Sequence, residues 1–227
     1  MYFDTTYIVL VLPAVLFALW ASSNVNSTFK KYSNVQSSSG YTGFDAARRI
    51  LDANGLQNIR IEHVSGNLTD HYDPKAGVIR LSDSVYSNNS AAAIGVAAHE
   101  AGHAVQHATG YSPLALRNAI IPICNIGSNL AMPLVLLGLL LGALGLCYLG
   151  IIAFAASTFF QLITLPVEFN ASKRAMVALE SSGRFSDTDL KNASKTLRAA
   201  ALTYVAALAV SLANLLRLIA IVNRRRD

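Results

Sequence analysis

The chain has 227 residues, room for one ordinary domain or for a small domain with membrane helices, and a formal net charge of +5. Hydrophobic residues make up 53% and charged residues only 14%, against about 25% in an average soluble domain, and the deficit is concentrated in stretches, which points to membrane spans. The basic residues are scattered except for Arg224–Arg226 behind an apolar stretch, so no extended basic face argues for nucleic acid. Cys124 and Cys147 sit in apolar surroundings, and offer neither a disulfide framework nor a metal knuckle.

From about Tyr7 to Ala21 the chain is apolar. Asp4 is the only charge before it and no small-residue cleavage site follows, so an uncleaved transmembrane helix is expected rather than a signal peptide. Residues 22–39 are rich in Ser and Asn and read as a linker or irregular arm. Thr42 and Asp45 have the spacing of a capping box, and Phe44, Ala47, Ile50 and Leu51 give the helix that follows one apolar face, with Gly55 as its stop. Ile59 and Ile61 alternate with polar residues as in a short strand; His63, beside them, reads as inert. Asp73-Pro74 and Gly77 mark a turn, and Val78, Ile79 and Leu81 suggest a second strand. An Ala-rich helix is expected from about Ser90 to Ala108.

The 50 residues from Asn118 to Val167 contain no Asp, Glu, Lys or Arg. One helix of that length would be about 75 Å long, more than twice the hydrocarbon thickness. Two spans with a turn near Gly142–Gly150 fit, the first kinked by Pro122 or Pro133. Gly183 ends a helix, and Ser186 and Asp189 have the spacing of a second capping box. The helix they open continues through Ala199–Val222 as a fourth span, with Arg217 snorkelling near its end. Two crossings lie between residues 22–117 and 166–198, so these polar pieces share one side of the membrane. Lys30, Lys31, Arg117, Lys173, Arg174, Lys195 and Arg198 flank spans on that side and favour a cytoplasmic polar domain, with Arg224–Arg226 voting the other way.

The chemistry lies in His99-Glu100-Ala101-Gly102-His103. Four residues apart on a helix, His99 and His103 present both imidazoles on one face, each able to give a nitrogen to one zinc ion. Glu100 is placed to take a proton from an activated water and pass it to a leaving amine. Small neighbours (Ala97, Ala98, Ala101, Gly102, Ala104) let other backbone come close. His107 is about 12 Å from His99 along the helix axis, too far to share the ion, and reads as a local hydrogen-bonding or groove residue. The metzincin pattern is absent, since Gln106 and Thr109 stand where it needs Gly and His. Glu168 is the first charge after the apolar stretch, with Pro166 suited to a first helical turn. It is either the third ligand or an ordinary acid near a helix start; the residues alone leave both open. Arg174 could touch a substrate carbonyl, with a snorkelling or salt-bridged residue as the plainer reading. His71, before the second strand, could donate to a transition state or be a solvated turn residue.

Residues 67–117, with NLTDHYDPKAGVIRLS and AAHEAGHAVQHATGYSPLALR, together with LPVEFNASKRA at 165–175, resemble the YugP-type membrane zinc metallopeptidases over nearly the whole chain. The resemblance implies a gluzincin-like site: His99, His103 and Glu168 as ligands of one Zn2+, Glu100 as general base. The family is similar in plan to the HtpX membrane proteases. This chain departs from their pattern by having Asn170 and Ser172 after Glu168, where an acid is usual, so Asn170 or Ser172 is expected to orient a histidine instead.

The expected fold is therefore membrane α+β: four transmembrane helices with a small zincin-like catalytic domain, mostly helical with a short β-sheet. Its parts are a first span (1–21), the catalytic domain (22–117), a transmembrane hairpin (118–165), a helix carrying the third ligand with its connector (166–198), a fourth span (199–223) and a basic tail (224–227). The expected activity is a multi-pass cell-membrane zinc endopeptidase with its catalytic domain in the cytoplasm, acting on membrane or membrane-proximal polypeptides. A site-2-type intramembrane protease is disfavoured by the lack of an L-D-G motif. A metal-holding but inactive scaffold or chaperone-like protein is the alternative from another class.

Overall fold

An apolar run in lipid must satisfy its backbone internally, so residues 7–21 have to be helical. In the structure, a computed structural model that describes residues 5–224, a π-helical stretch Tyr7–Val11 leads into α1 (Leu12–Ser33). Asp4 and the Arg225–Arg226 part of the basic run lie outside the described residues. The helix corrects the reading of 22–39 as a linker or irregular arm over residues 22–33, while 34–39 are irregular: the second half of α1 is ordered because Phe29 and Tyr32 are buried in a hydrophobic core. Packing overrides the weak helix propensity of the Ser/Asn run.

Thr42 caps α2 (Gly43–Ala53) reciprocally, its hydroxyl accepting the Asp45 N–H while the Asp45 carboxylate accepts the Thr42 N–H. Three strands follow: β1 (Arg60–Val64), β2 (His71–Asp73) and β3 (Val78–Ser82). Their order is β1-β3-β2, with β1 parallel and β2 antiparallel to β3. The turn between β2 and β3 is held by Asp73, whose Oδ1 accepts the Lys75 and Ala76 N–H groups, and by Gly77 at φ 62°. As the central strand, β3 buries residues on both faces, Val78, Ile79 and Leu81 fully. Ser90 then caps α3 (Ala91–Ala108) by accepting the Ala93 N–H.

The remaining helices are α4 (Ser112–Leu141), α5 (Leu144–Ser181) and α6 (Asp187–Asn223), the last opened by the Ser186/Asp189 capping box. Gly142, at φ 67°, makes the α4–α5 turn. Pro166 does not begin a helix, as the sequence had suggested; it lies inside the unbroken α5, as Pro122 and Pro133 lie inside α4. A single missing ladder bond does not stop a helix whose apolar flanks are this long. Among the described residues, four helices are long and apolar enough to cross a membrane: Tyr7–Ser33, Ser112–Leu141, Leu144–Ser181 and Asp187–Asn223. The fold is membrane α+β.

The chain divides into two compact units. One comprises Met1–Ser22, Ala115–Pro166 and Leu202–Asp227; the other comprises Ser23–Leu114 and Val167–Ala201. In the first, Val135, Cys147, Leu218 and Val222 form a buried cluster, and Arg217 lies over the Tyr7 ring at 5.3 Å. The second holds the larger core, where Leu51, Ile79, Leu81, Ile94 and Leu179 are almost wholly buried among the alanines of α3. Leu179 is the α5 side chain buried deepest in that core after its alanine, Ala175. Leu179→Ala should cost about 2–5 kcal/mol of stability. Thermal melting of the purified protein in detergent should show a clear drop in midpoint, and an unchanged midpoint would mean that α5 is not held through this side chain.

Candidate metal centre

The site is built by two helices of the second unit, α3 and the α5 segment after Val167. They approach backbone to backbone at Gly102: a Cβ there would lie 2.5 Å from the Ala171 carbonyl oxygen. Only glycine permits that approach. Gly102 is one residue before His103 and three after His99; Ala171 is three after Glu168 and one before Ser172. The closest point between the helices therefore falls among the ligands.

Across this contact, the Nε2 of His99 is 3.2 Å and the Nε2 of His103 is 3.5 Å from one oxygen, Oε2 of Glu168. The two imidazoles are edge-to-face, 4.7 Å between centroids. Candidate ligand atoms of the three residues all lie within 4.8 Å of one another. Zinc bonds of about 2.0–2.1 Å at a tetrahedral centre put neighbouring donors about 3.3–3.4 Å apart, so the residues present fit a zinc ion. Glu168 is only 4% exposed.

Each histidine is held from behind. Ser172 Oγ is 3.1 Å from Nδ1 of His99, and Gln106 Oε1 is 3.0 Å from Nδ1 of His103. Gln106, fully buried, donates its Nε2 hydrogens to the Val167 carbonyl at 2.8 Å and to Asn170 Oδ1 at 3.0 Å. Asn170 Oδ1 also accepts from Arg174 Nε at 2.8 Å. Thus Ser172 touches a histidine directly, while Asn170 does so through Gln106. Sequence reasoning missed Gln106 as a partner, although it stands three residues past His103 on the same helix face.

Glu100 is 9% exposed and accepts no hydrogen bond among the described residues. Its charge is felt by His103 and by Asp70. Burial works against the charged form of His103, but the carboxylates of Glu168 and Glu100 outweigh it and raise the pKa above the ordinary 6.5. Asp70, also missed in the sequence, receives the Ser82 N–H at 2.7 Å and the Ser82 hydroxyl at 2.9 Å. Burial nevertheless raises its pKa above 3.8, and Glu100 adds to the shift.

The other expected site residues are placed as follows. His107 is exposed, its Nδ1 sharing a 2.9 Å hydrogen bond with the Tyr72 hydroxyl. On β2 it is thus Tyr72 that faces α3. His71, next to it, points the other way, with Thr69 O at 2.9 Å and Arg80 at 3.4 Å. His63 pairs with Asp83 at 2.6 Å in the sheet region.

A family model described as "Putative neutral zinc metallopeptidase" matches residues 7–223, and the chain belongs to this family. It is also 52% identical over 221 residues to a protein of Bacillus subtilis (strain 168) named "Putative membrane protease YugP", covering 97% of this chain and 98% of that one. No solved structure matches.

Two substitutions test the centre. Gly102→Ala should force the helices apart, at a cost of about 1–3 kcal/mol in stability, and weaken zinc binding. Gln106→Leu should lower zinc affinity about 10–100-fold by freeing the His103 ring. Competition with a chromophoric chelator reads both, and wild-type affinity in Gln106→Leu would remove its orienting role.

Proposed function

We propose that the protein is a multi-pass membrane zinc endopeptidase, with His99, His103 and Glu168 holding one Zn2+ and Glu100 as the general base. The observation that carries this reading is the convergence of two imidazole nitrogens on one buried carboxylate oxygen, at 3.2 and 3.5 Å, beside an uncommitted glutamate. A bound zinc ion would supply Lewis acidity, making water a nucleophile near neutral pH and polarising the scissile carbonyl.

The chain's own residues do the rest. Gln106 accepts the Nδ1–H of His103, which leaves the Nε2 lone pair directed at the ligand cluster. Ser172 orients His99 in the same way. Glu100 takes the proton of the attacking water and returns it to the departing amine. Its carboxylate is free for this because no hydrogen bond engages it among the described residues.

A polypeptide is the substrate class favoured by β2. Its outer edge has no strand partner among the described residues, and Tyr72 turns from it toward α3. An extended chain can add to such an edge through main-chain hydrogen bonds. The four apolar helices make membrane or membrane-proximal polypeptides the natural clients. The positive-inside bias favours a cytoplasmic site.

Zinc content and cleavage of an unfolded protein, measured in detergent, test the assignment. Glu100→Gln should retain zinc and lose about 100-fold or more of turnover. Glu168→Ala should lose zinc. Full zinc affinity in Glu168→Ala would remove the third ligand. Wild-type zinc binding with no cleavage of any substrate would favour an inactive scaffold.

Orientation is tested by Ser38→Cys in a Cys124→Ala/Cys147→Ala background, labelled in intact cells with an impermeant thiol reagent. Protection is expected, and ready labelling would place the domain outside.

A further inference from the structure

Beside the metal centre, the second unit has a cavity of about 990 Å³ to which none of His99, Glu100, His103 or Glu168 contributes. It lies among α2, α3, and the end of α5 with the segment after it. Arg48, Arg49, Lys173 and Arg174 line it, with only Asp45 and Asp52 to oppose them. Both acids are already committed. Asp52 is paired with Arg48 at 2.9 Å, and Asp45 is bound to the Thr42 N–H and hydroxyl. Arg48 also donates from Nη1 to the Ile59 carbonyl and from Nη2 to the Leu56 carbonyl.

That leaves three cations without a carboxylate partner. Among the described residues Arg49 and Lys173 have no ion pair, and Arg174 uses only its Nε, on Asn170, while its guanidinium lies 5.8 Å from the Tyr111 ring. Cations collected around one concavity raise each other's cost unless an anion joins them. The remaining wall includes Ile50, Val105, Val177, Leu179 and Phe185. A cavity of this size suits a ligand rather than a lone small ion, and its mixed wall suits one with a charged end and an apolar body.

We infer that this cavity is a binding site for a phosphate-bearing anion, with Arg49, Lys173 and the free guanidinium nitrogens of Arg174 as its donors. Phosphate oxygens accept several charge-assisted hydrogen bonds at once, and arginine's planar fork matches them in pairs. The apolar wall makes the headgroup of an anionic lipid a tighter occupant than free phosphate. The site stands whether or not the metal centre hydrolyses peptides, since His99, Glu100, His103 and Glu168 take no part in it; Arg174 meets that centre only through Asn170.

The test uses the full-length protein in a neutral detergent. Binding of dihexanoylphosphatidic acid, inorganic phosphate and dihexanoylphosphatidylcholine is followed by isothermal titration calorimetry. Wild type should bind the phosphatidic acid saturably, near one per chain, and at least about tenfold more tightly than the zwitterionic lipid. Arg49→Gln/Lys173→Gln should lose at least about tenfold in affinity. Lys173→Glu, at an exposed position, should lose a similar amount and serves as the second variant if the double one is unstable. Comparable affinity for inorganic phosphate would identify the free ion as the source. The site would be overturned by no saturable binding of either anion, by unchanged affinity in folded variants, or by equal binding of the zwitterionic lipid.

Discussion

The close approach of α3 and α5 at Gly102 and Ala171 is the constraint on which the functional part of the molecule depends. Every residue of the metal centre stands on one of these two helices. His99, Glu100, His103 and Gln106 are on α3; Glu168, Asn170, Ser172 and Arg174 are on α5. Because the helices touch at backbone distance, the short Glu168 side chain reaches both imidazoles, and Ser172 reaches the back of one of them. The alanines of α3, among them Ala97, Ala98, Ala101 and Ala104, are fully buried and present little side chain to what packs around the helix. Small residues at a helix contact trade side-chain burial for such proximity. A metal centre drawn from two helices needs that trade.

The network behind His103 has a direction fixed from both ends. The Val167 carbonyl can only accept and the Arg174 guanidinium can only donate. Asn170 must therefore offer Arg174 its oxygen, and Gln106 must give both amide hydrogens away. Oε1 of Gln106 is left to face the imidazole and to take its Nδ1–H. An aspartate at position 170 would accept from the same two donors, and its cost would be one of charge. That carboxylate would pair with Arg174 and add a further negative charge to a cluster that already holds Glu100 and Glu168. Neutral amides orient the ligand at a smaller desolvation cost.

Much of this was legible in the sequence, for local reasons. Both capping boxes depend on residues three apart, and both form. The His99/His103 pairing follows from helical spacing alone, and the first acid after a long uncharged run is indeed the one that meets the two histidines. What was illegible required tertiary contacts. The second half of α1 is helical because Phe29 and Tyr32 find a core, which its Ser/Asn composition does not announce. Pro166 reads as a helix start, yet the helix runs through it. Three-residue β2 exists only as the partner of β3, and it is the alternation along that strand that turns Tyr72, and not His71, toward α3. Asp70 lies 30 residues before Glu100 in sequence, with no spacing rule to connect them.

Asp70 completes the electrostatics of the site. Glu168 faces two imidazoles, Glu100 lies buried without a hydrogen bond among the described residues, and Asp70 is raised by burial with the charge of Glu100 adding to it. Carboxylates whose charges reach one another and the same imidazole are costly as an all-protein arrangement. The cluster partly relieves itself by favouring the protonated form of His103. A divalent cation held by His99, His103 and Glu168 would answer those charges more fully, with both histidines in their neutral form.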